Sequence, residues 1–443
     1  MTKQTLFSPN RRQLLALGAA GLVAAALGPQ AGGAQTLTTS ARIVILGAGA
    51  GGTALANRLV GRLDGATITV IDGRAEHFYQ PGYTLIAAGL KPAGYSVSRT
   101  TDWLPGGVSF LPEYVAQIDP VARRVTTAGG TAVDYDFLVV ATGLVLDWAA
   151  VEGFDLSMIG QNGIGAVYAG PEQAAATWAA MDRFTEEGGQ GLFLRPATEM
   201  KCAGAPLKYA FLTEDHATRK GTRDRVELTY AANNAVLFGV PIVSEKVRML
   251  FAERGISTLY NHVMKGLDAD RKEAVFTVTE GETTREARLP YDFINVIPPM
   301  RAPAAVRESG LSWGDKWLDQ GWMEVDQATL RHLRFPEVFA LGDVAGVPKG
   351  KTAASVKWQL PVVEDHLVAA ITGGIGTEAY TGYTSCPLIT RVGRAMLVEF
   401  DYNNNLVPSF PGIIPPLEEL WVSWLMKEVA LKATYNAMLR GRA

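Results

Sequence analysis

The sequence predicts a doubly wound α/β protein with tandem Rossmann-like nucleotide domains, and two observations carry that expectation. The apolar run Ala41–Leu46 leads into Gly47-Ala48-Gly49-Ala50-Gly51-Gly52 and then into a helical stretch, Thr53–Leu59. A second run, Thr67–Ile71, ends in Asp72, 20 residues after Gly52. Strand, glycine loop, helix, strand and terminal acid form one dinucleotide-binding unit, a far more specific pattern than a lone glycine fingerprint. The chain has 443 residues, 48% of them hydrophobic, which suits two or three globular domains and excludes disorder as the main state. A net charge of −3 without blocks of like charge leaves no electrostatic footprint for nucleic acid.

Each element follows in order. Lys3, Arg11 and Arg12 precede an uncharged run of 14 residues, Leu14–Leu27, and then small residues up to Ala34. This is the tripartite pattern of an export signal over residues 1–34, too short to span a bilayer of ~30 Å. The paired arginines resemble a twin-arginine signal, which would carry a folded, cofactor-loaded protein out of the cytoplasm. In the glycine loop, Gly47 permits the turn, Gly49 lets a pyrophosphate approach the backbone, and Gly52 lets helix and strand pack closely. The following helix turns its free N–H groups toward the phosphates. Asp72 is placed to accept hydrogen bonds from a ribose. The strand over Tyr135–Val140 stops at Ala141-Thr142-Gly143, and the strand over Val338–Leu341 stops at Gly342-Asp343. Both endings resemble the closing segments of two-dinucleotide-domain flavoproteins, which makes FAD the expected cofactor and Asp343 a ribityl contact.

A second nucleotide loop is missing. The strand over Gly191–Leu194 runs into Arg195–Pro206 without a glycine fingerprint, and the strand over Val226–Tyr230 ends in Ala231-Ala232-Asn233-Asn234, not in an acid. Nicotinamide binding is therefore not expected. In the place of the phosphate cradle stands Cys202, just ahead of a helix opened by Pro206 and flanked by Lys201 and Lys208. Helix dipole and lysines favour its thiolate, a plausible nucleophile or donor toward a flavin. The other cysteine, Cys386, is 184 residues away, and one structural disulfide is the other reading of such a pair. The five histidines show no metal-ligand spacing, and no metal is expected. Toward the C-terminus, Leu417–Lys427 and Val429–Leu439 carry paired tryptophans, methionines and flanking basic residues. They suit a helix lying in a bilayer interface, with a tail docked on protein as the alternative.

These residues resemble the sulfide:quinone oxidoreductases, in particular the type that includes the mitochondrial enzyme. The likeness is carried by His77–Leu85, by Lys201-Cys202-Ala203-Gly204-Ala205-Pro206, by Tyr383-Thr384-Ser385-Cys386-Pro387-Leu388, by Val398–Tyr402 and by Lys351-Thr352-Ala353-Ala354. The resemblance implies that Cys202 and Cys386 are an oxidised, sulfur-bridged catalytic pair. Sulfide attacks Cys386 and leaves a persulfide there, and Cys202, released as a thiolate, passes two electrons to FAD and on to a membrane quinone. A sulfane-sulfur acceptor then clears Cys386. The resemblance also assigns to FAD Gly47, Gly49, Gly52, Asp72, Gln80, Val115, Thr142, Gly143, Asp343, Lys351, Thr352 and Ala353, with Gln80 and Val115 resting on it alone. The alternative is the flavoprotein subunit of a flavocytochrome c-type sulfide dehydrogenase, with a haem partner in place of quinone. The expected domains are FAD-binding (41–150 with 291–375), degenerate nucleotide-like (151–290) and a C-terminal flavin-covering, membrane-interface region (376–443). The expected location is periplasmic, on the outer face of the cytoplasmic membrane. Self-association is left open.

Overall fold

The computed structural model describes residues 36–442, so the expected export signal at 1–34 lies outside the described residues. Two parallel sheets form the frame. In the first, five strands lie in the order 338–340, 137–140, 42–46, 67–71, 108–111, all parallel. These strands are apolar along their length, as a sheet covered on both faces requires, and Ile43–Leu46 and Leu138–Val140 are fully enclosed. The strand order reverses at 42–46, so the crevice at its carboxyl end is the expected ligand position. A three-stranded antiparallel ribbon, 115–119, 124–127 and 132–134, precedes the strand at 137–140.

The second sheet is also parallel, in the order 164–165, 293–295, 189–194, 226–231, 256–259. An antiparallel meander over 262–290 follows it. Here one expected boundary shifts. The strand Phe293–Asn295 falls in the segment assigned to the FAD domain from residue 291, yet it pairs with Gly191–Phe193 and is buried in the second sheet. The chain returns to the first domain only after it.

The helix Ala205–Lys220 opens with proline in its first turn and ends on Gly221 in the left-handed conformation. Its first turns are enclosed, and Leu207, Tyr209, Ala210 and Phe211 share one core with Cys386, Leu388, Met396 and Val398. That packing lays the hairpin Thr384–Arg391 and Arg394–Phe400 across the helix start. The C-terminal chain is helical from Trp421 to Leu439, with a π-helical turn at Met426–Ala430. Trp424, Tyr435, Met438 and Leu439 are buried against the body, whereas Trp421 and Val429 face outward. The segment thus docks on protein along one side. Among the described residues no helix is long and apolar enough to cross a membrane.

Candidate functional site

A cleft of about 200 Å³ joins the two sheets, the cysteine hairpin and the C-terminal helix. Its floor is the glycine loop. Gly47 has φ +98°, and a Cβ there would lie 2.5 Å from the Ala141 carbonyl oxygen. At Gly52 a Cβ would lie 1.9 Å from the Gly47 carbonyl oxygen, so only glycine allows this loop and helix to close. At Gly49 the corresponding direction is open apart from Arg74 at 3.6 Å, and the Gly49 backbone faces the cleft. Thr142 and Gly143 line the same wall, and the Thr142 hydroxyl is buried without a partner. A free hydroxyl above an open backbone loop at a helix N-terminus is a donor set for a dinucleotide phosphate.

The opposite wall carries Gln80, Asp343, Lys351, Thr352 and Ala353. Thr352 caps the helix Ala353–Thr372 by accepting from the Ser355 N–H at 3.1 Å. Lys351 sits 3.7 Å above the Trp322 ring and donates to the carbonyls of Asp343 (2.5 Å) and Ala345. Burial pulls its ammonium down to about 8, with Asp343 opposing. Burial likewise raises the Asp343 carboxyl, against the pull of Lys351 and Lys201. The Lys201 ammonium, brought down to about 8 by burial, donates to Gln80 Oε1 at 2.7 Å.

Two expected contacts differ in detail. Asp72 does not line the cleft: its Oδ2 accepts from the Ala48 N–H and from Arg74 Nη2, both at 2.7 Å. Burial pushes the Asp72 carboxyl up, but the bonds from Arg74 and Ala48 outweigh it and hold it below its usual range. The carboxylate fastens the glycine loop and presents Arg74, which faces the cleft. Val115 starts the antiparallel ribbon, paired with Thr127, and is not part of the cleft wall described above.

The two cysteines meet in this cleft. Both are free, Cys386 is 3% exposed, and the two side chains are close enough for each to shift the other's acidity. Gly204 makes room, since a Cβ there would lie 2.4 Å from Cys386 Sγ. Cys202 has φ +48°, a conformation that costs a non-glycine residue on the order of 1–2 kcal/mol. It is held there by three bonds: its N–H donates to the Lys351 carbonyl (2.9 Å), and its carbonyl accepts from the Ala205 N–H (2.8 Å) and the Tyr168 hydroxyl (3.0 Å). The Cys386 thiol first of all, against burial, and then Lys208 and Lys427 draw the Cys202 thiol well below its usual range. Lys208 Nζ is 3.6 Å from Cys202 Sγ. The Cys386 thiol is pushed up, by its hydrogen bond to Cys202 and by burial. Although burial pulls Lys208 down, the two sulfurs hold it charged and raise it.

Besides Arg74 and Tyr168, Lys427, Tyr435 and His77 are members of the site to which sequence reasoning assigned no role. Lys427, from the C-terminal helix, is 3% exposed, donates to the Pro81 carbonyl at 2.6 Å and is lowered to about 7 by burial. Tyr435 from the same helix donates to His77 Nε2 at 2.8 Å, and His77 Nδ1 bonds the Ala48 carbonyl at 3.3 Å. Burial lowers His77 to about 4, so the ring is neutral and ties the last helix to the glycine loop. No local pattern signals these contacts. Among the described residues no cluster of three or more His, Cys, Asp or Glu could hold a metal.

Fold and cleft together define a flavoprotein of the two-dinucleotide-domain class, with a thiol pair where a second cofactor loop would stand. Comparison with known proteins agrees. Residues 41–183 match the pyridine nucleotide-disulphide oxidoreductase family. The chain is 33% identical to the mitochondrial sulfide:quinone oxidoreductase of Mus musculus, over 94% of this chain and 92% of the mouse protein. It is 32% identical to that of Dictyostelium discoideum, over 92% and 88%. It superposes on the sulfide:quinone oxidoreductase structure from Aquifex aeolicus with a TM-score of 0.73 at 20% identity, covering 90% and 92% of the two chains. The chain belongs to the sulfide:quinone oxidoreductase family. Its cofactor is FAD, which the open Gly49 backbone and the free Thr142 hydroxyl fit.

Proposed function

We propose that this protein oxidises sulfide to sulfane sulfur at the Cys202–Cys386 pair and passes the electrons through FAD to a membrane quinone. The observation that carries the reading is the meeting of two free cysteines inside the cleft built on the glycine loop, with Lys208 Nζ 3.6 Å from Cys202 Sγ.

The cation beside Cys202 favours attack at Cys386, since Lys208 Nζ stands 3.6 Å from Cys202 Sγ and supports its departure as a thiolate. Thiol–disulfide exchange proceeds faster when the departing sulfur is the more acidic thiol. Hydrosulfide attacking Cys386 in the oxidised pair forms one S–S bond, breaks another and expels Cys202 as its thiolate. Lys208, Lys427 and the N-terminus of the helix Ala205–Lys220 hold that negative charge. Cys386 keeps the incoming sulfur as a persulfide in a buried position, away from water. FAD, when bound, supplies the two-electron acceptor that connects the thiolate to the quinone. A sulfane-sulfur acceptor then clears Cys386 and the pair re-forms.

The finer assignments are part of the same proposal. Residues 1–34 act as a twin-arginine export signal and place the enzyme in the periplasm. The outward Trp421 and Val429, together with Ile413 at 76% exposure, rest on the outer face of the cytoplasmic membrane, where a lipid-soluble quinone is reached. The region 376–443 covers the flavin on that side.

Anaerobic addition of sulfide to the purified holoprotein should bleach the flavin near 450 nm, and a short-chain ubiquinone should restore it. Cys202→Ser and Cys386→Ser should each abolish the bleaching-and-recovery cycle. Reduction by NADH without sulfide, or full turnover in both serine variants, would overturn the proposal.

A further inference from the structure

The second sheet keeps the position at which nucleotide enzymes of this architecture hold a pyrophosphate. Ligands of open parallel sheets sit at the carboxyl ends of the strands. Here that edge carries an arginine. Arg195 directly follows the strand Gly189–Leu194, is half-buried, and encloses its Nε without a hydrogen-bond acceptor. The neighbouring strand ends are in the same condition. The Tyr230 hydroxyl, buried near the end of Val226–Ala231, has no partner, nor does Asn233 Oδ1 two residues beyond it. Asn295 Nδ2, on the strand paired to the other side of Gly189–Leu194, is also unpartnered. Leu194 lies opposite Ala231 and Phe193 opposite Asn295, so these groups share one sheet edge.

That edge adjoins the reacting sulfurs through Tyr168. The Tyr168 hydroxyl bonds the carbonyls of Lys201 and Cys202, and its phenol is subject to the charges of Arg195 and of both cysteines. A half-buried guanidinium with no ion-pair partner among the described residues, beside the unpartnered Tyr230 hydroxyl and Asn295 Nδ2, is a set of donors suited to an oxyanion.

We propose that Arg195, with the Tyr230 hydroxyl and the Asn295 amide N–H, forms an oxyanion subsite that receives the acidic group of the sulfur nucleophile clearing Cys386. This rests on the function proposed above, in which Cys386 carries a persulfide. With sulfite as the nucleophile, the sulfite sulfur attacks the outer persulfide sulfur. The bond from that sulfur to Cys386 breaks, Cys386 leaves as a thiolate, and thiosulfate departs with no net oxidation or reduction of the protein. A thiol bearing a carboxylate would use the subsite in the same way, through its carboxylate.

The test compares wild-type holoprotein with Arg195→Gln and Arg195→Lys in sulfide-dependent quinone reduction. Sulfite and mercaptosuccinate serve as anionic acceptors and 2-mercaptoethanol as the uncharged one. Loss of a charge-assisted contact predicts a rise of roughly tenfold in KM for both anionic acceptors in Arg195→Gln, with kcat nearly unchanged. Arg195→Lys should recover part of the loss, and the KM for 2-mercaptoethanol should not move. A rise for sulfite alone would restrict the subsite to the small oxyanion, and a rise for mercaptosuccinate alone to the carboxylate thiol. Calorimetric binding of unreactive sulfate to the holoprotein, lost in Arg195→Gln, reads the subsite even if sulfide gives no turnover. Unaltered sulfite and mercaptosuccinate KM values in Arg195→Gln, an equal rise for 2-mercaptoethanol, or sulfate binding that survives the substitution would each overturn the proposal.

Discussion

Replacing Lys208 by methionine removes the charge nearest Cys202 while keeping most of the side chain's bulk. Nζ lies 3.6 Å from Sγ. At an effective dielectric constant of about 20, two unit charges at that distance attract by about 5 kcal/mol, or roughly 3 pKa units. Lys427 and Cys386 keep their own contributions in the variant, so the lost attraction, roughly 3 pKa units, is the expected change. Its sign is upward, because loss of the cation disfavours the thiolate and the protonated form persists to higher pH. The assay is iodoacetamide alkylation of the reduced holoprotein across pH, with Cys202 and Cys386 resolved by peptide mass. The Cys202 midpoint should move up by about 3 pH units in Lys208→Met and stay in place in Lys208→Arg. Sulfide bleaching of the Lys208→Met flavin should be slow at pH 7 and recover under alkaline conditions. An unmoved Cys202 midpoint, or a downward shift, would show that the lysine does not hold the thiolate.

Gly52→Ala places a methyl group 1.9 Å from the Gly47 carbonyl oxygen. Overpacking against backbone costs about 1–3 kcal/mol or more, so the purified variant should lose FAD, read as the ratio of absorbance at 450 and 280 nm; a fully loaded variant would contradict the close approach. Lys427 is lowered to about 7 from the ordinary 10.5. Between those values the unfolded chain holds a proton that the native protein has released, so wild-type stability should rise with pH relative to Lys427→Met, by up to about 1.4 kcal/mol per unit. Urea unfolding at pH 7, 8 and 9 measures this, and parallel curves would refute it. For the outward C-terminal face, Trp421→Ser with Val429→Ser should reduce co-sedimentation with phospholipid vesicles severalfold, and unchanged sedimentation would remove that face from the membrane.

The first nucleotide unit was legible because its logic is local. One strand, one turn and one helix start lie within Ala41–Asp72, and each glycine has a steric reason that the structure reproduces at Gly47 and Gly52. Cys202 was legible for the same reason, as the residue ahead of a proline-opened helix with Lys208 one turn on. What the sequence hid is non-local. Cys386 reaches Cys202 only through a hairpin laid on the helix start; the local chemistry of Ser385-Cys386-Pro387 does not indicate it, and the pairing was expected from the family resemblance alone. Lys427 and Tyr435 approach Pro81 and His77 across more than 300 residues of chain, from a segment whose apolar pattern is equally compatible with a membrane surface. Asp72 was read correctly as a strand-end acid, but Arg74, two residues later, takes up its carboxylate.

The conformation of Cys202 connects these pieces. A left-handed backbone at a cysteine persists only where the surroundings over-determine it. Here the restraints come from three separate parts of the molecule. Its N–H is bound by Lys351, the residue before the capped helix that faces the cleft. Its carbonyl is shared between the helix start at Ala205 and the Tyr168 hydroxyl of the second domain. The sulfur is therefore indexed at once to the wall that carries Asp343 and Lys351, to the helix dipole that favours its charge, and to the second domain through Tyr168. Relaxing the backbone at residue 202 would release all three registrations together. In an enzyme whose electrons must travel from a thiolate to a neighbouring cofactor, that registration matters more than the 1–2 kcal/mol the strained backbone costs.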